Sequence, residues 1–347
     1  MKKLSIIFLL IIALSLTLLF SKNHKNKYYD KNKSHHTPDG FTNPYIDPSL
    51  QSKKMKDFFK LMKEDGPEIL EDLDVNIISK QEIEDLIGNE QNFYLWIGHS
   101  TALIHLDGKN ILTDPIFSDR CSPVQFAGPK RYSRPALEIS DLPNIDVIVI
   151  SHNHYDHLDY KTVKMIGDKA LWVVPLGLKK WFSNQGVNNV TELDWHDSIS
   201  HNDINVTSLP SQHWSKRTVF NSFDTLWSSW LIQVNDFKFW FAGDTGYNEI
   251  QFKEIGKNYG PFNLAAIPIG AYEPRWFMKN FHINPEEAVK IHKDVFSEKS
   301  VGIHFSTFVL TTEPIDEPAN KLKQALEKYR IKLDDFLAIK IGEFIFL

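Results

Sequence analysis

Three imidazoles and a carboxylate fall within six positions of one another in the stretch Ser151-His152-Asn153-His154-Tyr155-Asp156-His157-Leu158-Asp159. Imidazole nitrogens and carboxylate oxygens are the donors that divalent metals take where thiolates are absent. In an extended loop His152 and His154 point the same way, because side chains alternate with period two. The chain must then turn, which directs Asp156 and His157 to a second point nearby. Two ligands for one ion and two for its neighbour suit a two-metal hydrolytic site. Ions roughly 3.5–4 Å apart lower the pKa of a shared water toward about 7 and take up charge developing on phosphoryl oxygens. Such a centre needs no nucleophilic serine or cysteine. The bland alternative is a surface loop that happens to be rich in histidine, and only further ligands displace it.

Three further candidates follow apolar runs, where a rigid scaffold presents ligands. His213 lies in Pro210-Ser211-Gln212-His213-Trp214-Ser215, Asp244 in Phe241-Ala242-Gly243-Asp244-Thr245-Gly246, and His304 in Val301-Gly302-Ile303-His304. Gly243 and Gly246 let the backbone bend closely around Asp244. A lone histidine after a strand is most often a hydrogen-bonded structural residue. In this order, and joined to the first cluster, the set is hard to assemble by chance.

The elements that must position these residues are legible as short runs. Val147-Ile148-Val149-Ile150 reads as a buried strand ahead of the first cluster. Tyr94-Leu95-Trp96-Ile97, Ala102-Leu103-Ile104-His105-Leu106 and Lys109-Asn110-Ile111-Leu112-Thr113 read as strands, with Asp107-Gly108 as a hairpin turn. Further strands are predicted at 171–174, 189–193, 204–209, 229–234 and 237–242, and helices near 159–166 and 176–185. Asn284-Pro285-Glu286-Glu287 is a helix start. Met55, Phe58, Phe59 and Met62 give residues 51–64 a helical spacing, and a short helix is predicted at 80–88. Two batches of strands with helices between and after predict an α/β, αββα sandwich. No internal repeat is visible at the level of residues.

Composition sets the remaining bounds. With 347 residues, 42% of them hydrophobic, the chain buries a large core as one big domain or two smaller ones. A net charge of −5 gives no general pull toward nucleic acid, and Lys130-Arg131 with Arg134 could meet phosphate but is expected to be solvated surface. The single cysteine, Cys121, excludes an intrachain disulfide and leaves any metal to His, Asp and Glu. Residues 4–20 carry no charge and follow Lys2-Lys3, at the border between a signal-peptide core and a short membrane span. No small-x-small cleavage site follows Phe20, which favours an uncleaved anchor over a removed signal. Lysines on both sides leave its orientation open. Residues 22–50 read as a polar linker in which His35-His36 could bind metal but is expected to be solvated, and 51–92 as a helical extension.

The order His-x-His-x-Asp-His, His, Asp, His resembles the metallo-β-lactamase superfamily of dinuclear metallohydrolases. Several motifs resemble one branch of it, the N-acyl-phosphatidylethanolamine-hydrolysing phospholipases D. They are Trp96-Ile97-Gly98-His99-Ser100, Leu112-Thr113-Asp114-Pro115-Ile116-Phe117, Gly128-Pro129-Lys130-Arg131, the His213 and Asp244 motifs, and Ile267-Pro268-Ile269-Gly270-Ala271-Tyr272-Glu273-Pro274-Arg275-Trp276-Phe277-Met278. The resemblance implies a hydrolase domain over residues 93–347 and does not reach the segments before residue 90.

It also implies that His152, His154 and His213 hold one zinc, that Asp156, His157 and His304 hold a second, and that Asp244 bridges them. His99 and Asp114 would orient ligands, since a metal-bound imidazole normally donates its other N–H to such a partner. Asp156, a ligand beside the shared water, is the expected proton carrier. His282 either stands near the substrate phosphate or merely neighbours the helix start at Asn284. Gln125, Phe126 and Arg275 are expected substrate contacts, because adaptable apolar side chains beside cations suit acyl chains below a phosphate; ordinary core packing is the alternative.

The implied activity is zinc-dependent hydrolysis of N-acyl phosphatidylethanolamine to an N-acylethanolamine and phosphatidic acid. Function follows the pocket rather than the fold, so another hydrolase on this scaffold, such as a lactonase, β-lactamase or other phosphodiesterase, is the second reading. A non-catalytic, metal-stabilised lipid-binding protein is the third. His and carboxylate donors admit Fe or Mn besides Zn. The expected partner is a membrane phospholipid and not nucleic acid, with the chain membrane-anchored or exported through residues 1–21. A homodimer is compatible with a sequence that does not fix the oligomeric state.

Overall fold

The computed structural model describes residues 25–347, apart from a set of positions between 52 and 74 and residues 219 and 220. The hydrophobic run at 1–21 and most of the helix predicted over 51–64 lie outside the described residues. Among the described residues no helix is long and apolar enough to cross a membrane. The expectation of anchoring or export through the N-terminal segment is corrected accordingly, since nothing described supports it.

Short β-branched and aromatic runs, buried on both faces in the central strands, form two seven-stranded mixed sheets. The first holds β3 (Phe93–Gly98), β4 (Thr101–Leu106), β5 (Lys109–Thr113), β6 (Val147–Val149), β7 (Leu171–Pro175) and β8 (Val190–Leu193) in sequence order. The second holds β9 (Ser198–His201), β10 (Ile204–Leu209), β11 (Ser229–Val234), β12 (Phe237–Phe241), β13 (Phe262–Pro268), β14 (Ser297–Ile303) and β15 (Phe336–Leu337). β16 (Phe344–Phe346) closes the first sheet by pairing antiparallel with β3. Each sheet is antiparallel in one half and parallel in the other: β3 to β5 then β5 to β8, and β9 to β12 then β12 to β15. The two halves of the chain thus share a strand plan that no residue-level repeat betrays.

The hairpin between β4 and β5 turns at Asp107 (φ 47°) and Gly108 (φ 76°), the paired positive φ that a two-residue hairpin loop demands. The sheets face each other across one core. Tyr94 and Phe239 approach to 6.0 Å between ring centroids, Trp96 stacks on Phe305 at 4.7 Å, and Trp230 Nε1 donates to the Ile150 carbonyl at 3.0 Å. Fully buried Trp96 and Trp230 fill this space, while Trp172 and Trp240 pack outward against Phe182 and Phe252 of the covering helices. Burying an apolar side chain of this class contributes about 1.5–3 kcal/mol.

Helices cover the outer faces. α1 (Lys80–Gly88) begins with a capping box between Ser79 and Glu82. α2 (Tyr160–Ile166) follows β6, capped by the Asp159 carboxylate. α3 (Lys179–Asn184) packs on β8 and starts later than predicted, because Gly177 at φ 95° turns the chain first. α4 (Glu249–Tyr259) and α6 (Glu317–Tyr329) pack against α5 (Pro285–Asp294), which lies on β13 and β14. The arrangement is the αββα sandwich.

The segment at 22–50 behaves differently from its polar reading. From residue 25 it is packed on the domain, with β1 (His36–Thr37) and β2 (Gly40–Phe41) paired antiparallel. Phe41 joins Trp195, Leu226 and Trp227 in a small apolar cluster, and Phe41 N–H donates to the Phe223 carbonyl at 2.9 Å. His35 and His36 are buried rather than solvated. Composition misleads here because the arm's polar groups have internal partners. Asn26 Nδ2 donates to the Gly40 carbonyl at 2.7 Å and Tyr28 Oη to the Glu192 carboxylate at 2.7 Å.

Candidate metal centre

The ligand-bearing loops follow the carboxyl ends of β5, β6, β10, β12 and β14, where open α/β sheets present their crevices. After β6 the chain runs extended through His152 and then turns, with the N–H groups of His157 and Leu158 both donating to the His154 carbonyl. This is the turn the sequence requires between its two ligand pairs. Arg217 clamps it: Nη1 donates to the carbonyls of Asn153 (3.1 Å) and Leu158 (2.7 Å). The guanidinium lies over Tyr155 at 4.1 Å and Trp181 at 4.9 Å. Nothing in the sequence around Arg217 points to this role, which is built entirely from distant partners.

The candidate ligands meet in two groups that share one oxygen. His152 Nε2 lies 2.9 Å from His154 Nδ1, which lies 3.2 Å from His213 Nε2. Asp156 Oδ2 lies 3.3 Å from both His157 Nε2 and His304 Nε2. Asp244 Oδ2 stands between the groups, 3.1 Å from His304 Nε2, 3.2 Å from His157 Nε2, 3.8 Å from His213 Nε2 and 3.9 Å from His152 Nε2.

The other ring nitrogens settle which atoms point inward. His157 Nδ1 donates to Asp114 Oδ2 at 2.6 Å, and Asp114 also accepts from Ser151 N–H (2.6 Å) and Oγ (2.5 Å). His152 Nδ1 donates to Ser151 Oγ at 2.9 Å and His213 Nδ1 to the Phe281 carbonyl at 2.9 Å. These bonds leave the Nε2 lone pairs of His152, His157 and His213 facing the centre. His99 Nε2 meets Asp156 Oδ2 at 3.0 Å, while the His99 carbonyl accepts from His304 N–H at 2.9 Å. His99 (φ 54°), Asp114 (φ 30°) and His304 (φ 63°) all hold left-handed backbone, at about 1–2 kcal/mol each.

Charge follows from this packing. Burial and neighbouring imidazoles push His99 and His213 down to about 3, and burial pushes His154 down to about 4, so their rings are neutral donors at pH 7. Burial would raise Asp156 and Asp244, but the adjacent His157 and His304 hold both carboxyls well below the usual range. Burial would likewise lower His304, yet Asp244 and Asp156 outweigh it and raise the ring to about 9.

Among the described residues, His157 Nε2, His304 Nε2 and Asp244 Oδ1 are buried without a hydrogen-bond partner. Ring lone pairs 2.9–3.2 Å apart repel unless a cation lies among them. Orphaned nitrogens, two ionised buried carboxylates and the absence of thiolate fit divalent metal.

The remaining candidates divide. His282 joins the group, with Nδ1 3.8 Å from Asp244 Oδ2 and its ring 5.0 Å from that of His213. The Arg275 guanidinium is committed to the Glu287 carboxylate (2.7 Å) and the His282 carbonyl (2.8 Å). Gln125 bonds to Arg120, and Phe126 stands 85% exposed on the same loop.

Residues 109–305 match the family model described as a β-lactamase superfamily domain. The chain belongs to the metallo-β-lactamase superfamily. It is 46% identical over 265 residues to the N-acyl-phosphatidylethanolamine-hydrolyzing phospholipase D 1 of Caenorhabditis elegans, across 72% of this chain and 74% of that one. It is 38% identical over 240 residues to a mitochondrial enzyme of the same name from Saccharomyces cerevisiae, across 67% of this chain and 51% of the yeast protein. Among solved structures, a protein from Veillonella parvula described as a possible metal-dependent hydrolase superposes with TM-score 0.61 at 17% identity, over 74% of this chain and 100% of that one. A diiron β-hydroxylase from Streptomyces venezuelae superposes with TM-score 0.56 at 18% identity, over 74% and 54%. Both share the fold of this metallo-β-lactamase superfamily member, and the second shows that the fold also houses iron.

Proposed function

We propose that the chain is a zinc-dependent phosphodiesterase of the phospholipase D type, which hydrolyses N-acyl phosphatidylethanolamine to an N-acylethanolamine and phosphatidic acid. The observation that carries the reading is Asp244 Oδ2, placed within 3.1–3.9 Å of ring nitrogens from both donor groups. The 46% identical nematode relative supplies the substrate class. His152, His154 and His213 would hold one zinc, Asp156, His157 and His304 a second, and Asp244 both. When bound, such a pair lowers the pKa of a water to about 7 and takes up phosphoryl charge.

The chain's own residues do the rest. Asp156 accepts the proton, and His99 Nε2 holds its carboxylate in place through Oδ2 at 3.0 Å. His282 is placed to hydrogen-bond a phosphoryl oxygen, and Arg275 fixes it by holding its carbonyl. Asp114 and Ser151 lock the His157 and His152 rings. Exposed Phe126 and Trp276 would offer apolar surface to acyl chains.

The test is a metal-replete assay on N-acyl phosphatidylethanolamine beside plain phosphatidylethanolamine and phosphatidylcholine, repeated with Asp156→Asn. N-acylethanolamine should appear from the first lipid alone, with activity falling at least about 10²-fold in the variant. Equal rates on all three lipids remove the substrate assignment; an unaffected variant removes the mechanism. Elemental analysis of the same preparation decides between zinc and iron.

A further inference from the structure

A second group of metal-ligating side chains lies where the N-terminal arm meets the domain. His35 and His36 face Asp194, which follows β8, and the three are 6%, 8% and 3% exposed. Asp194 Oδ1 lies 2.7 Å from His35 Nε2, and Oδ2 lies 3.0 Å from His36 Nε2. One donor atom from each residue falls within 4.8 Å of the other two.

Hydrogen bonding accounts for His35 and fails for His36. His36 Nδ1 lies 2.8 Å from the Tyr28 carbonyl and 3.2 Å from the Asp30 N–H, and the shorter contact takes a ring N–H donating to Tyr28. In the neutral ring that leaves a lone pair on Nε2. This nitrogen is buried and, among the described residues, has no hydrogen-bond partner. A lone pair 3.0 Å from a carboxylate oxygen is repulsive unless a cation joins them. Lys33 brings an ammonium to Asp194 Oδ2 at 2.5 Å from a side chain 37% exposed. It satisfies the carboxylate without touching the His36 lone pair, and it is free to swing outward.

We propose that His35, His36 and Asp194 form a separate divalent-cation site of the zinc class, which fastens the arm to the domain. Two imidazoles and a carboxylate leave one tetrahedral position for water. Burial keeps His35 below its ordinary value against the pull of Asp194, so its ring is neutral and competent to ligate at pH 7. The ion would link β1 to the loop after β8, adding to the Tyr28–Glu192 bond and the small Phe41 cluster. The assignment does not depend on the hydrolytic reading of the other centre.

The full-length chain is equilibrated with zinc at buffered free concentration, and bound metal is counted by elemental analysis. The wild type should carry about one ion per chain more than either His36→Gln or Asp194→Asn. Lys33→Ala, a surface change that removes the competing ammonium, should retain the ion and bind it several-fold more tightly in chelator competition. Equal counts in wild type and both folded variants overturn the site. So does a Lys33→Ala chain with unaltered zinc affinity, which would mark the cluster as an ion pair only. If the substitutions at positions 36 and 194 prevent folding, the Lys33→Ala result alone decides. Hydrolysis is no part of this readout, so failure here and failure of the proposed activity are separable.

Discussion

Asn43 Nδ2 donates to the carbonyl oxygen of His213 at 2.8 Å, across 170 residues of sequence. Both residues are buried, and the bond ties the N-terminal arm to a ligand of the candidate metal centre. Asn43→Ala strands a buried carbonyl and should destabilise the fold by about 1–3 kcal/mol. Urea denaturation of the two chains measures it, and a midpoint within error of wild type would show the arm to be dispensable for the His213 loop.

Asp114 takes three donors, from His157 Nδ1, Ser151 N–H and Ser151 Oγ, and is fully buried. Asp114→Asn keeps the shape but places a donor where His157 needs an acceptor. Metal affinity should fall about 10–100-fold. Chelator competition on wild type and variant tests this; equal affinity would deny Asp114 its orienting role.

Gly246 sits where a Cβ would lie 2.3 Å from the Asn280 carbonyl oxygen and 2.7 Å from Gln212 Nε2. Gly246→Ala must push the loop carrying Asp244 away from the Asn280 backbone, just before His282, with an expected cost of about 1–3 kcal/mol. Gly88, at the end of α1, has nothing within 4 Å of its would-be Cβ. Gly88→Ala should therefore be neutral or stabilising by up to about 1 kcal/mol. Thermal melts of both variants provide the comparison, and similar losses at the two sites would refute the steric account.

The metal-free chain has a predictable pH dependence. His99 and His213 lie at about 3 and His154 at about 4, against an ordinary 6.5, chiefly through burial. As pH drops below 6.5 the unfolded chain binds protons that the folded rings refuse, so stability falls. His304 has the opposite sign. Raised to about 9, it contributes fully below 6.5 and loses that contribution as pH climbs to about 9. Urea midpoints of chelator-treated protein should therefore peak near pH 6.5, and metal should abolish the alkaline decline by replacing the His304 proton. A midpoint still rising at pH 9 would contradict these assignments.

Local chemistry made much of this protein readable from sequence. The strand before His152, the Asp107-Gly108 hairpin and the Asn284 cap depend on neighbouring residues, and the structure places each where its neighbours require. The sequence reading gives no strand over Phe262–Pro268 and no helix over Glu317–Tyr329, because short apolar or mixed runs acquire their identity from the layer they pack on. Spacing within 152–157 marked a metal-binding loop, since the ligands are close along the chain. The partnership of His99 with Asp156, the Arg217 clamp and the burial of His35 and His36 against Asp194 were settled only in three dimensions. Each joins groups separated by 57 to 159 positions, and no local preference of the backbone can encode a contact that exists only once two sheets have closed on each other.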